Sequence, residues 1–583
     1  MPQERSTLTK VSARITVAAM SMAALAAIAA SEASAQGRTF PQGGPKDWSH
    51  SHLIASEIGP DGGRGIDADW RTHAKHVRLE HMRAQRALDN QAQKASKEPK
   101  GPKDPAADTS EGHLDWNLRT GGLGNVVGSP AKVSFDITAY NCSDVIYFTV
   151  DQNGAAATPN VIAITNAYAG CPNNAAGATP TVKWGIRMTN GTATSPVPSL
   201  DGTVLYVLEN RGTGVILHAI LVDNITTNPG TYNFTAPGTW SNAHVLAAPD
   251  GTPTSEQLFE IAFTGVTNNV SSPWLDYTGN QIFFGDSAGR IQHVINTNLT
   301  TASRDTTNFT NACGANQLTS PVFIYGQVIV SSYNGFLYRL NTTGAAPYTC
   351  TASAQLGGGT ANGIAGSVSA PIVDVTYDKI IVSTNNTAGF TVAAVAAFDV
   401  MFAAGASSTS GQSLGPETTQ APVSGSFDDA FWSTGTGNYY IVAANSGNNN
   451  TYLERFPYNG TLGAVSGFAQ LHRSGGGGAV VATSPVTEFL STGTPNKDLL
   501  YVGGGGGQYL FVNRILAGFA GTDAAPVSMA NWFATPGGGM ISGIIIDTNT
   551  AAVTGGTATA NIYYGTKFNG ATQSTIVQLA QQF

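Results

Sequence analysis

Charge is scarce in this chain. Only 11% of its 583 residues are Asp, Glu, Lys or Arg, 29 basic against 37 acidic, for a formal net charge of −8. From Gly121 onward the count is 13 basic against 23 acidic side chains. A surface so poor in cations offers no basic track for phosphates, so nucleic acid is not an expected partner. Cysteine is rarer still. There are four, none adjacent to another, and no C-x-x-C or mixed Cys/His spacing marks a zinc site. Past the N-terminal segment no run reaches the roughly 18 consecutive apolar residues of a membrane helix, so no membrane span is expected. No Ser-His-Asp arrangement can be assembled from the sequence, and no catalytic residue is named.

What is abundant is glycine, 68 residues of it, together with Asn, Thr and Ser. That composition suits many short strands joined by tight turns, with neutral polar groups in place of charge. The N-terminus is different. Arg5, Lys10 and Arg14 precede the alanine-rich apolar run Ile15–Ala30, and Ala33-Ser34-Ala35 follows as a small-x-small cleavage site. Residues 1–35 therefore read as a signal peptide, and the mature chain is expected to begin at Gln36 and be exported to periplasm, cell surface or medium. Four cysteines allow three pairings. The two local ones, Cys142 with Cys171 and Cys313 with Cys350, are expected in an oxidising compartment, with buried free thiols as the alternative.

Residues 36–110 read as an N-terminal arm. Ile66 to about Ala95 is free of glycine and proline, and Trp70, Ala74, Val77, His81, Ala84 and Leu88 form a narrow apolar stripe, which predicts one helix. Lys97–Pro105 is a Lys/Pro linker.

From about residue 111 a repeat takes over. Its plainest copy is Ser272-Pro273-Trp274-Leu275-Asp276, then Gln281–Gly285, then Arg290–Ile295, three strands joined by turns at Tyr277–Asn280 and Ser287–Gly289. Ser/Ala-Pro-apolar openings return at Ser195, Ser320, Ala370, Ala421 and Ser484. A serine or alanine before proline suits the crowded start of an inner strand, and the following strand, apolar on both sides, suits one sandwiched between neighbouring sheets. The expectation is an all-β fold, a β-propeller of eight blades, with seven as the alternative count, preceded by the short helical arm. The eighth unit ends with three strands at Phe583, while Leu114-Asp115-Trp116-Asn117-Leu118 has no unit of its own. An N-terminal strand over 114–118, through Leu114, Trp116 and Leu118, would complete the last sheet and close the ring.

The repeated Ser-Pro-apolar opening and the Gly285-Asp286-Ser287-Ala288-Gly289 turn resemble the quinoprotein-type, or PQQ-like, propeller repeat, as found in uncharacterised secreted bacterial proteins of that class. The stretch Asp47-Trp48-Ser49-His50-Ser51-His52 and the entry Asp115-Trp116 look similar too. The resemblance covers roughly residues 45–583 and implies the fold and an exported location. Its enzymatic members hold PQQ with adjacent cysteines, a tryptophan floor and calcium on Glu, Asn and Asp. Here the closest cysteines are Cys142 and Cys171, and Trp116, Trp184 and Trp532 fall on outer strands in this register. No cofactor is therefore expected, with PQQ and calcium as the alternative.

Other patterns are weak. Gly475–Gly478 and Gly503–Gly507 lack the Lys-Ser/Thr and helix of a phosphate loop. Asp428-Asp429 and Asp151-Gln152-Asn153-Gly154 carry oxygen ligands for calcium but match no full loop, and read as turns. His73, His76 and Glu80 share a face of the expected helix, more consistent with a solvated basic face than a metal site. The expected role is a non-catalytic exported propeller that binds a glycan, peptide or protein, serves as a scaffold, or assembles with itself through the N-terminal arm. The alternative is a quinoprotein-like oxidoreductase or other propeller enzyme with an axial site.

Overall fold

The computed structural model describes residues 52–55 and, with interruptions, residues 112–582. The expected signal peptide, the arm helix with His73, His76 and Glu80, the linker, and Gly475–Gly478 lie outside the described residues.

Among the described residues the chain is almost entirely β, folded into successive antiparallel sheets in which each strand pairs with the next in sequence. The first sheet runs Ala131–Ser134, Val145–Thr149, Val161–Thr165, Thr181–Arg187. The second is Val197–Pro198, Val204–Arg211, Gly214–Leu221, Gln257–Thr264, and the third Trp274–Asp276, Gln281–Gly285, Ile291–Ile295, Ser303–Arg304. The fourth is Val322–Ile324, Gln327–Ser331, Leu337–Asn341, Cys350–Ala352. The fifth follows as Ile372–Asp374, Lys379–Thr384, Val392–Asp399, Ser410–Pro416. The sixth sheet starts at Ser426–Phe427, a few residues after the Ala421-Pro422-Val423 opening, and continues through Gly437–Asn445, Asn450–Tyr458 and Gly467–Leu471. The seventh is built on Lys497–Gly505, Tyr509–Arg514 and Asn531–Ala534, with Val481–Ala482 and Thr487–Ser491 sharing one edge. The eighth joins Ile545–Asp547, Ala558–Gly565 and Thr575–Gln582 to Gly112–Arg119.

Strands such as Val145–Thr149 and Gln327–Ser331 are buried along their whole length because both faces meet a neighbouring sheet. The cores lie between sheets. Tyr147, Trp184 and Ile186 of the first sheet meet Leu205, Val207 and Ile220 of the second. On its other face, Ile146 and Phe148 meet Trp116, Leu118, Tyr563 and Ile576 of the eighth. Consecutive antiparallel meanders packed face to face make a β-propeller fold.

The Ser-Pro openings have a physical job at the crowded strand starts. The backbone N–H of Ser129 donates to Ser195 Oγ (2.8 Å), that of Ser195 to Ser272 Oγ (2.9 Å), and that of Ser272 to Ser320 Oγ (2.8 Å). The chain so formed links four successive sheets where no strand pairing can. Gly543 of the eighth sheet sits against Ser129, where any Cβ would overlap the serine side chain.

The second sheet carries a long excursion between its last two strands. From it a ribbon, Thr231–Asn233 paired with Thr239–Ser241, reaches back over the junction of the eighth and first sheets. Trp240 Nε1 donates to the Arg119 carbonyl at 3.0 Å, the Arg119 N–H donates to Tyr232 Oη at 3.0 Å, and the Gly185 N–H donates to the Pro229 carbonyl at 2.8 Å. His244–Val245 then adds in parallel to the outer strand of the first sheet, and His52–Ala55 adds in parallel to its inner strand.

Candidate functional site

At the end of the sheets that carries the turns between second and third strands, three stretches far apart in sequence enclose a pocket of about 430 Å³. Gly122, Leu123 and Gly124 come from the connection between the eighth and first sheets. Asp151, Gln152, Asn153 and Thr158 come from the turn within the first sheet, and Gly191 from the connection to the second. The glycines are there because the walls are close. A Cβ on Gly191 would lie 2.6 Å from Asp151 Oδ1, and one on Gly124 would press into Gln152. Gln152 is fixed by two bonds: its Oε1 accepts from the Gly124 N–H (3.1 Å) and its Nε2 donates to the Pro159 carbonyl (2.7 Å). Asp151 and Asn153 are exposed, and Leu123 is 71% exposed beside them. The pocket thus offers a carboxylate, amide and hydroxyl groups and one apolar side chain. That set suits hydrogen bonding to a polar ligand.

Behind the Gly191 wall lies a buried charged cluster. Glu209 and His218 stand on adjacent strands of the second sheet and face the first, in line with Leu205, Val207 and Ile220. His218 Nε2 lies 2.9 Å from Glu209 Oε2. The other carboxylate oxygen, Oε1, accepts from Asn190 N–H (2.8 Å), Asn190 Nδ2 (3.1 Å) and Arg211 Nε (3.4 Å). On the outer strand, Glu260 Oε2 is 3.4 Å from His218 Nδ1, and the Gln257 amide nitrogen is 3.1 Å from that same ring nitrogen. Burial alone would push His218 down, but hydrogen bonds and charges from Glu209 and Glu260 outweigh it and raise its pKa above the usual value. Burial likewise opposes ionisation of Glu209, yet His218 and the Asn190 donors hold its carboxyl at about 2.

No protein-family model and no curated relative matches the chain. Among solved structures it is similar to Sqt1 of Saccharomyces cerevisiae, at 10% identity and TM-score 0.47, over 81% of this chain and 99% of that one. The computationally designed Ika8 protein aligns at 10% identity and TM-score 0.44, over 81% and 100% of the two chains. BamB from Moraxella catarrhalis aligns at 11% identity and TM-score 0.31, over 76% and 82%. These likenesses carry nothing about activity.

The other residues singled out in the sequence are spread through the molecule. Cys142 is bonded to Cys171 (Cα–Cα 5.5 Å), tying the first hairpin of the first sheet to a later connection of that sheet, and Cys313 is bonded to Cys350 (Cα–Cα 5.1 Å). Trp116 and Trp184 stand on outer strands, their indole N–H groups donating to the carbonyls of Ala167 and Val222, both at 3.1 Å. Leu118 is buried beside Trp116. Leu114 pairs with Leu579, and the register shifts between Leu114 and Trp116. Asp428-Asp429, read as a turn, starts a six-residue helix, Asp429–Thr434. Asp428 caps it by accepting from the Phe431 N–H, and Gly435 closes it in the left-handed conformation. The described part of the 503–507 glycine run, Gly503–Gly505, ends a strand. Among the described residues no three His, Cys, Asp or Glu side chains converge in a metal-binding group.

Of the pocket, sequence reasoning had singled out only the 151–154 turn. His218 had a usable signal, since it is the lone titratable residue inside the otherwise apolar strand Gly214–Leu221, whereas Glu209 begins the polar end Glu209-Asn210-Arg211 of Val204–Arg211.

Proposed function

We propose that this chain is an exported, non-catalytic β-propeller of eight blades, its ring closed by the N-terminal strand through Leu114, Trp116 and Leu118. In this reading it binds a neutral polar ligand, a glycan or the polar face of a peptide or protein, at the pocket between the eighth and first sheets. The observation that carries the reading is the pocket's lining: glycine walls, amide and hydroxyl groups, and the single carboxylate Asp151. Neutral hydrogen-bonding groups recognise hydroxyls and amides without supplying the matched acid and base that catalysis needs. Export is supported by the two disulfides, which persist in oxidising compartments. Among the described residues no helix is long and apolar enough to cross a membrane.

The same residues argue against a quinone. All four cysteines are committed to distant partners, and the indoles of Trp116 and Trp184 are locked into outer-strand packing. Neither an adjacent-cysteine clamp nor a tryptophan floor can be drawn from them.

The test is a glycan and peptide array probed with the wild-type protein and with Gly191→Val and Asp151→Asn. Ligands captured by the wild type and lost at least about tenfold by both variants support the pocket. Retention by Gly191→Val places binding elsewhere. Stoichiometric uptake of PQQ and calcium with turnover of alcohols or sugars would replace the proposal with the oxidoreductase reading.

A further inference from the structure

We propose that the buried Glu209–His218–Glu260 cluster sets the pocket wall at Asn190–Gly191 according to its state of protonation, holding the wall in mildly acidic solution and loosening it in alkaline solution. The proposal rests on the pocket reading above and assigns its regulation.

The connection is short and made of hydrogen bonds. Glu209 Oε2 faces His218, and Oε1 holds both the backbone N–H and the side-chain amide of Asn190. Gly191 is the next residue, and its carbonyl accepts from the N–H of Asn210, the residue after Glu209 (3.0 Å). The Asn190 carbonyl accepts from Asn160 Nδ2 (2.8 Å), whose Nδ2 also reaches the Gln152 carbonyl (3.1 Å). Hydrogen bonds thus lead from Glu209 through Asn190 and Asn160 to the facing side of the pocket, beside the backbone bonds from the Gly154 N–H to the Met188 carbonyl (3.0 Å) and from the Thr192 N–H to the Val150 carbonyl (3.4 Å).

That carboxylate has two environments available. With His218 protonated, Nε2–H points to Glu209 and Nδ1–H to Glu260, a cation between two anions. With His218 neutral, Nδ1 becomes an acceptor and the Gln257 amide, 3.1 Å away, can donate to it. The neutral state then leaves Glu209 and Glu260 as two buried carboxylates with no cation between them. Glu260 Oε1 is already buried without a hydrogen-bond partner. The groups facing His218 are Glu209 from the neighbouring strand, and Glu260 and Gln257 from the outer strand. Arg211 faces Glu209 from the strand end. The first sheet presents Trp184, Ile186 and Met188, with the phenol of Tyr147 in the same core and Asn190 beyond. Among the described residues the cation left beside the cluster is Arg211, 3.4 Å from Glu209 and partly exposed, with no ion pair to Glu260. Relief comes by letting water in, and the nearest route is the wall that Glu209 holds.

Hydrogen exchange resolved to residues 188–192, compared at about pH 6 and about pH 9 after correction for intrinsic rates, reads the wall without any ligand. In the wild-type protein exchange there should rise about tenfold with pH, while the turn at 296–302 on the opposite end of the sheets stays constant. His218→Gln should abolish the pH dependence. Glu260→Gln, which removes one of the two carboxylates and should disturb folding less, should shrink the rise by at least about half. Unchanged protection of 188–192 in the wild type overturns the proposal, as does a rise that persists at full size in either variant. A negative array result leaves this measurement untouched, so the two readings fail separately.

Discussion

Ser195 shows how much a single hydroxyl does in this fold. It accepts the Ser129 N–H while its own N–H donates to Ser272 Oγ, so three sheets are joined through one residue. Replacing Ser272 by Ala leaves the buried Ser195 N–H without an acceptor, which should cost about 1–3 kcal/mol in denaturant unfolding. Gly543→Ala should cost a similar amount, about 1–3 kcal/mol, because the new methyl must displace Ser129. The pH dependence of stability belongs to this scale too. Glu209, with its pKa held down at about 2, contributes stability that is present above its ordinary value and is lost as pH falls toward about 2. His218, with its pKa raised, contributes stability that is complete below its ordinary value of 6.5 and fades as pH climbs past its folded value. Unfolding free energy should therefore decline on the alkaline side in the wild type, and His218→Gln should flatten that limb. A wild-type alkaline limb as flat as the variant's would remove the argument.

At the scale of elements, strands were legible wherever short continuous apolar runs stood between turn residues. The hairpins at 274–285 and 322–331 are examples. The ribbon strands Thr231–Asn233 and Thr239–Ser241 were not, since exposed residues flank the half-buried Tyr232 and the buried Trp240, which pack on a junction made by distant segments. No local pattern reports that kind of contact. The helix Asp429–Thr434 was readable in principle, from Asp428 at the cap and Gly435 just past the end, but six residues leave no room for an apolar period. The pocket was least legible, being three loops brought together only by packing of the eighth, first and second sheets. Trp240→Ala tests the ribbon. Losing a buried indole should cost about 3–5 kcal/mol and speed hydrogen exchange at Gly112–Arg119 while leaving the sixth sheet unaffected. Opening the Cys142–Cys171 link, whose ends are 29 positions apart, should cost about 3 kcal/mol, read as a lower Tm of Cys142→Ser/Cys171→Ser.

Over the whole molecule, the determining fact is that, among the described residues, the first long strand, Gly112–Arg119, pairs with the last, Thr575–Gln582. A protein beginning at Gly121 lacks Gly112–Arg119 and exposes the edge of Thr575–Gln582, whereas one beginning at about Thr109 keeps it. Size-exclusion chromatography should find the first aggregated and the second monodisperse. Equal behaviour would show that the eighth sheet does not depend on its N-terminal strand.

That pairing also sets an order in time. The Thr120 hydroxyl donates to the Ser574 carbonyl 454 positions later. During synthesis the strand at 112–119 has no partner until Thr575–Gln582 has been made. At about 5–20 residues per second it waits tens of seconds in an unfinished state. A chain that stops early never acquires that partner, so it keeps two unmatched edges. Synthesis as far as Thr575–Gln582 is thereby written into its solubility, and copies truncated before that strand are the ones left open to proteases.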